Sequence, residues 1–166
     1  MRLRPGVVMV TAATATAVAG RVVFGARLPG YDAAWSVVWG RAIAAGEVPQ
    51  FVAPVAPTPH PLSNAVASVA IALPGDAPLD VLSALSWLSY GALGVAVFVL
   101  ARRLGGAWCG VIAAALVLTR TLIVGETLIA SLDIPFLALV AAATAAAASD
   151  PRSVAPLWWL LPAGLL

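Results

Sequence analysis

Lysine is absent from this chain: all nine basic residues are arginines, set against seven acids, and charged residues make up only 10% of its 166 positions. A typical soluble domain carries about 25% charged residues. The net charge of +2 is small and the arginines are scattered, so nucleic-acid binding has no support. A single cysteine, Cys109, excludes a disulfide within the chain. What is abundant is apolar surface, at 62% of residues. Soluble domains hold roughly 45–50%. The excess is gathered in long runs without charge, the pattern of membrane spans. A water-soluble fold of this length could not hide it.

These runs predict an all-α, polytopic transmembrane bundle forming one membrane domain, with spans near 5–24, 79–101, 105–119, 134–148 and 154–166. Arg2 and Arg4 precede the first span and Arg102-Arg103 follow the second. Arginine placement therefore puts the N-terminus in the cytoplasm of a multi-pass protein of the cell membrane, with 25–78 outside. A tight turn at Ser149-Asp150-Pro151-Arg152 is read as cytoplasmic. The first run also fits a cleaved signal peptide, since Ala17-Val18-Ala19 resembles a small-residue cleavage site; either reading places the next loop outside. Arg21 is expected to snorkel to the headgroups. Residues 156–166 end in an apolar segment with no polar flank, which reads as an incomplete last helix or a partial protein.

The outer loop is far longer than the usual 4–6 or so residues of a connection. Pro29-Gly30 suggests a turn, with Asp32 capping a helix that starts at Ala33. Trp35, Val38, Trp39, Ala42 and Ile43 recur at helical spacing, while Arg41 and Glu47 fall off that face. This predicts a short interfacial helix with tryptophan anchors. Pro49, Pro54, Pro57, Pro59 and Pro61 favour extended polyproline structure in between. Residues 62–73 are apolar but too short to span, and read as an interfacial or re-entrant helix.

Six of the seven acids fall on the outer side: Asp32, Glu47, Asp76, Asp80, Glu126 and Asp133. Acids near membrane depth are costly, on the order of 2.5–3.5 kcal/mol, and so mark candidate sites. A carboxylate at Asp32 beside the bilayer would be partly desolvated, which suits proton abstraction; the plainer role is a helix cap. Glu126 and Asp133 are seven residues apart, which on one helix puts both on nearly one face. Arg120 stands close enough in sequence to pair with either. Together they suggest a polar cluster able to hold a phosphate, a metal or a sugar, or else ordinary interface residues with Asp133 capping a helix ahead of Pro135. His60 stands between two prolines as a candidate metal ligand or substrate contact.

Two stretches carry a resemblance: 31–41, from Tyr31-Asp32 to Arg41, followed by the Pro57–Leu62 segment, and 130–138, where Ser131, Asp133 and Pro135 open a span. They resemble the N-terminal third of multi-spanning GT-C glycosyltransferases, in particular the protein-mannosyltransferase-like and lipopolysaccharide-glycosyltransferase-like members of high-GC bacteria. The resemblance implies sugar transfer from a polyprenyl-phosphate donor to an acceptor hydroxyl at the outer face, with inversion at the sugar carbon. It places Asp32 at the position of an acidic residue that acts as the catalytic base or positions the acceptor, and Asp133 at the second acidic position. Tyr31, His60, Arg120 and Glu126 would contact substrate. Many members have two adjacent acids at the first position; here Ala33 follows Asp32. The leaving phosphate needs positive charge, from an arginine, a divalent metal or a helix N-terminus. The competing readings are non-enzymatic: a transporter subunit, or an accessory protein whose outer loop binds a partner. The mid-span residues, mostly Ala, Val, Leu and Gly, offer no polar transport path.

Overall fold

The computed structural model describes residues 5–25, 28, 30–52, 54–150 and 155–166. The expectations for Arg2 and Arg4, for Pro29 and for the Pro151-Arg152 part of the turn lie outside them. The described residues are all-helical, without strands. The helices are α1 (Pro5–Phe24), α2 (Tyr31–Ala44), α3 (Pro61–Ala70), α4 (Ala77–Leu118), α5 (Thr121–Leu128) and α6 (Asp133–Ala147). A 3-10 turn (Ala155–Trp159) and α7 (Leu160–Gly164) follow. Two helices, α1 and α4, are long and apolar enough to cross a membrane.

α1 begins on Pro5, whose fixed φ and missing N–H suit a first helical position. It ends where the Arg21 guanidinium donates to the Gly25 carbonyl at 2.6 Å, which occupies Arg21 at the helix terminus. α4 consists of two helical arms that meet in a reversal at Gly106, which has φ 83 and ψ −177. That conformation belongs to glycine alone. The two arms then fold back on each other. Gly110 lies against Phe98, Gly94 against Leu118, and the Tyr90 hydroxyl donates to the Leu118 carbonyl at 2.8 Å. The hydroxyl thereby finds a partner at the end of the second arm, where the helix leaves carbonyls unbonded.

The ascent does not stop at Arg120, as the sequence suggested. The segment read as a mixed loop is helix α5, and it continues the path of the second arm. Ser86 donates to the Thr127 carbonyl at 3.3 Å, so α5 runs on toward the outer end of the first arm. Arg120 is consequently the N-cap of α5, part of the way up, rather than the outer end of the ascent. α1 and α6 pack on the first arm, where Ala17, Trp87, Tyr90 and Ile134 form one buried cluster. α6 has 15 residues. At 1.5 Å per residue it is about 22 Å long, short of the ~30 Å apolar core of a bilayer. The last segment is not one α-helix: Pro162 cannot donate to the carbonyl four residues back, and the preceding turn tightens to 3-10 geometry.

α2 and α3 pair above the first arm. Buried Ser36 and Ser63 hydroxyls bond at 2.9 Å, and one turn on Gly40 lies against Ala67 and Ser68. Both contacts keep the same offset in sequence, so the two helices run in the same direction. Their small side chains let the backbones approach closely. Ala33, Val37, Ala67 and Leu82 close a core there together with Ala130. Trp39 is buried and Trp35 half-buried, stacked at 5.3 Å. α2 ends in a Schellman motif at Gly46, which has positive φ: Glu47 N–H bonds the Ala42 carbonyl and Gly46 N–H the Ile43 carbonyl. The proline-rich stretch is only partly extended. Residues 51–52 and 54–55 are turns, with Val55 at φ 60.

The reversal at Gly106 yields the first prediction. Gly106→Val should destabilise the folded chain in detergent micelles by about 1–3 kcal/mol, since the side chain cannot adopt that backbone without strain. A thermal melt followed by circular dichroism measures it; an unchanged melting temperature would mean the arms do not depend on this turn.

Candidate functional site

The end of α5 and the starts of α2 and α6 meet at a junction built almost entirely from backbone. α5 closes with a second Schellman motif: Ser131 N–H bonds the Glu126 carbonyl at 2.9 Å and Ala130 N–H the Thr127 carbonyl at 3.1 Å. The pivotal position, normally glycine, is Ala130 at φ 55. An L-residue there costs roughly 1–2 kcal/mol, and the buried Ala130 methyl packs in the same core as Ala33. The segment after α1 docks onto this turn. Leu28 N–H donates to the Leu128 carbonyl at 2.8 Å, satisfying a carbonyl that the end of α5 leaves open. Gly30 lies directly on the Ile129 carbonyl, where any Cβ would collide.

This junction brings together two acidic first turns that are remote in sequence. Asp32 lies in the first turn of α2 and Asp133 in the first turn of α6. Neither is the helix cap that the sequence suggested. The N-cap of α2 is Gly30 and that of α6 is Leu132, and no side chain caps either helix. The reason is that α2 starts two residues earlier than its apolar period indicates, which moves Asp32 inside the helix. At α6, Ser131 Oγ accepts from the Asp133 backbone N–H at 3.2 Å, leaving the carboxylate free of that task. Asp133 is exposed and Asp32 half-buried. The positive end of each helix favours a carboxylate in its first turn.

His60 joins the same end of the molecule. It is the N-cap residue of α3, and Pro61 follows at the first helical position. Because α2 and α3 run in the same direction, His60 and Asp32 share one end of that pair. The His60 carbonyl accepts from Ser63 Oγ at 3.0 Å, while its ring Nδ1 meets the Leu166 carbonyl oxygen. Tyr31 is 53% exposed and begins an aromatic run, edge-on to Trp35 at 6.4 Å, that continues through Trp39 to Phe51.

Glu126 and Asp133 do not share a helix face. The Schellman turn at Ala130 separates α5 from α6, so the seven-residue spacing carries no helical register across it. Arg120 and Glu126 sit at opposite ends of α5, more than one turn apart and on different sides of it. Among the described residues, no three of His, Cys, Asp and Glu gather closely enough to hold a metal.

Three buried polar groups escaped the reading of the sequence. Ser36 and Ser63 clasp α2 to α3, and Asn64 is buried on α3 with its Oδ1 unpartnered. Such an oxygen costs about 1–3 kcal/mol. The signal was present: Ser63 and Asn64 interrupt an otherwise apolar run. Comparison with protein-family models, curated proteins and solved structures finds no match to this chain.

The close approach at Gly30 is testable. Gly30→Ala should push the start of α2 off the 129–132 turn and destabilise the chain by about 1–3 kcal/mol. Hydrogen exchange should then accelerate at Leu28 and 130–131. Unchanged protection at these amides would show that the junction is looser than its contacts imply.

Proposed function

We propose that this chain is the N-terminal membrane portion of a GT-C-type glycosyltransferase that moves a sugar from a polyprenyl-phosphate donor to an acceptor hydroxyl at the extracytoplasmic face. In this reading the chain is multi-pass, its N-terminus is cytoplasmic, and 25–78 is an outer loop. The exposed apolar side chains of α1 support a lipid surroundings: Val10 is 68% exposed, Val22 77% and Val23 72%. A core helix of a soluble protein would bury them. The arginine pair Arg102-Arg103 lies just before the reversal in α4, as a cytoplasmic turn requires.

The observation that carries the reading is the junction that sets the N-termini of α2 and α6 against one turn, with Asp32 and Asp133 in their first turns. Each N-terminus carries roughly half a positive charge, which favours a phosphate. A lipid-linked donor keeps its tail in the bilayer and presents its sugar phosphate at such an outer surface. The Asp32 carboxylate takes the proton of the acceptor hydroxyl as that oxygen attacks the anomeric carbon. The bond from that carbon to the phosphate oxygen breaks, and the polyprenyl phosphate leaves with the electron pair toward the helix N-termini. Asp133 orients the acceptor or the sugar. Tyr31, His60 and Glu126 are the surrounding substrate contacts, while Arg120 stands at the far end of α5. The attack inverts the anomeric carbon and forms no covalent sugar–enzyme intermediate.

In the full-length protein, Asp32→Asn should lower sugar transfer at least ~100-fold, the usual contribution of a general base, while leaving the protein in the membrane. Asp133→Asn should impair transfer strongly but less. The assay is transfer of labelled sugar from a polyprenyl-phosphate donor in isolated membranes. Full activity in Asp32→Asn would remove Asp32 from the chemistry and leave it as a partner of the α2 dipole. Topology is tested separately, in a Cys109→Ser background. An impermeant maleimide applied to intact cells should label Ala56→Cys and spare Ser149→Cys; labelling of position 149 would reverse the orientation.

A further inference from the structure

A cavity of about 410 Å³ lies at the opposite end of the bundle from the acidic junction, between α1, α4, α6 and the 3-10 turn. Met9, Ala13, Val95, Val99, Ala142 and Trp159 contribute to a lining that is nearly all apolar. The side chains from all three helices are small or slender, so the described residues leave the space open. Among the described residues, Arg103 and Ser149 are the polar ones of the lining, and no carboxylate lines it. Ser149 Oγ is already spent on the Ala145 carbonyl at 2.7 Å. Arg103 reaches the same carbonyl only at 3.4 Å, well beyond the roughly 2.7–2.9 Å of a charge-assisted bond, and a guanidinium has five N–H donors. The neighbouring Arg102 is exposed at the same reversal.

A long apolar slot with one cationic end has the chemistry of an amphiphile with an anionic head. We infer that this slot seats an acyl chain of an anionic glycerophospholipid, with the lipid phosphate on Arg103. The inference rests on the membrane reading of α1 and α4 and is independent of sugar transfer. At this depth in a bilayer the available material is lipid chain, and an unfilled apolar slot forfeits the dispersion contacts of its whole lining. Each arginine near the membrane surface attracts anionic headgroups. A polypeptide helix would fill the apolar part but would need an acid of its own to meet Arg103.

The test uses the full chain extracted in mild detergent and native mass spectrometry. Phosphatidylglycerol and phosphatidylcholine with identical acyl chains are titrated in parallel. Phosphatidylglycerol should bind roughly fivefold better, the preference expected of one well-placed arginine. Arg103→Gln should bring that ratio close to one, and Arg103→Lys should keep it. Ala142→Phe should block both lipids by filling the slot. Ala146→Leu gives a milder filling variant if the first loses its helical circular-dichroism signal. Equal binding of the two lipids, a preference that survives Arg103→Gln, or no retained lipid would each overturn the assignment; the last outcome would fit a protein segment in the slot. A chain recovered from the soluble fraction without detergent would sink the membrane reading as well. A chain that needs detergent yet shows no preference would sink the lipid slot alone.

Discussion

The Leu28 N–H bond to the Leu128 carbonyl is the tie on which the half of the molecule that holds the acidic junction depends. A helix end leaves carbonyls without partners, and in apolar surroundings each must be satisfied from within the chain. The end of α5 solves this twice over, with its own Schellman turn and with the segment that follows α1. The second solution has a long-range consequence. It delivers the start of α2 to the turn that launches α6, and so sets two acidic first turns beside one junction. Everything above the first arm of α4 is positioned from there: α2 by its contact with the turn, and α3 by its contact with α2.

Helix pairing in this chain relies on small residues and isolated hydroxyls in place of bulky apolar knobs. Ser36 meets Ser63, Gly40 meets Ala67, and Tyr90 and Ser86 reach carbonyls across the arms of the hairpin. Small side chains let the backbones approach closely, and directed hydrogen bonds between the helices add specificity. The same economy of side-chain volume leaves a slot at the other end, lined by alanines from α4 and α6 and by residues of α1. One end of the bundle thus gathers helix N-termini and acids, and the other gathers arginines around an apolar cavity.

Much of the helical layout is legible in the sequence, because uncharged apolar runs and proline-marked starts report local preference. The helix after the first run shows in the spacing of Trp35, Val38 and Trp39, but Trp39 is buried in the protein rather than an exposed interface anchor. The turn at Gly106 lies in the polar break after Arg102-Arg103. The errors share one origin. Asp32 and Asp133 looked like caps, and Glu126 and Asp133 looked like neighbours on one face, because residue type and spacing assume uninterrupted local geometry. Ala130 breaks that assumption, since nothing in an alanine announces a left-handed backbone; the strain is tolerated because its methyl and the adjoining carbonyls are fully used. Arg120 was misplaced for a related reason: a polar residue was taken as the end of an ascent that in fact bends and continues.

The sequence by itself determined that the described chain is helical, where α1 and α4 are apolar enough to cross a bilayer, and which few acids stand near helix starts. Those properties follow from the composition and period of contiguous residues. Only the tertiary structure decided which helix starts stand together, that His60 joins Asp32 through the same-direction pairing of α2 and α3, and that Arg103 closes an unfilled slot. Each depends on contacts between segments far apart in the chain, where backbone carbonyls and the shapes of small side chains select partners and no local pattern records the choice.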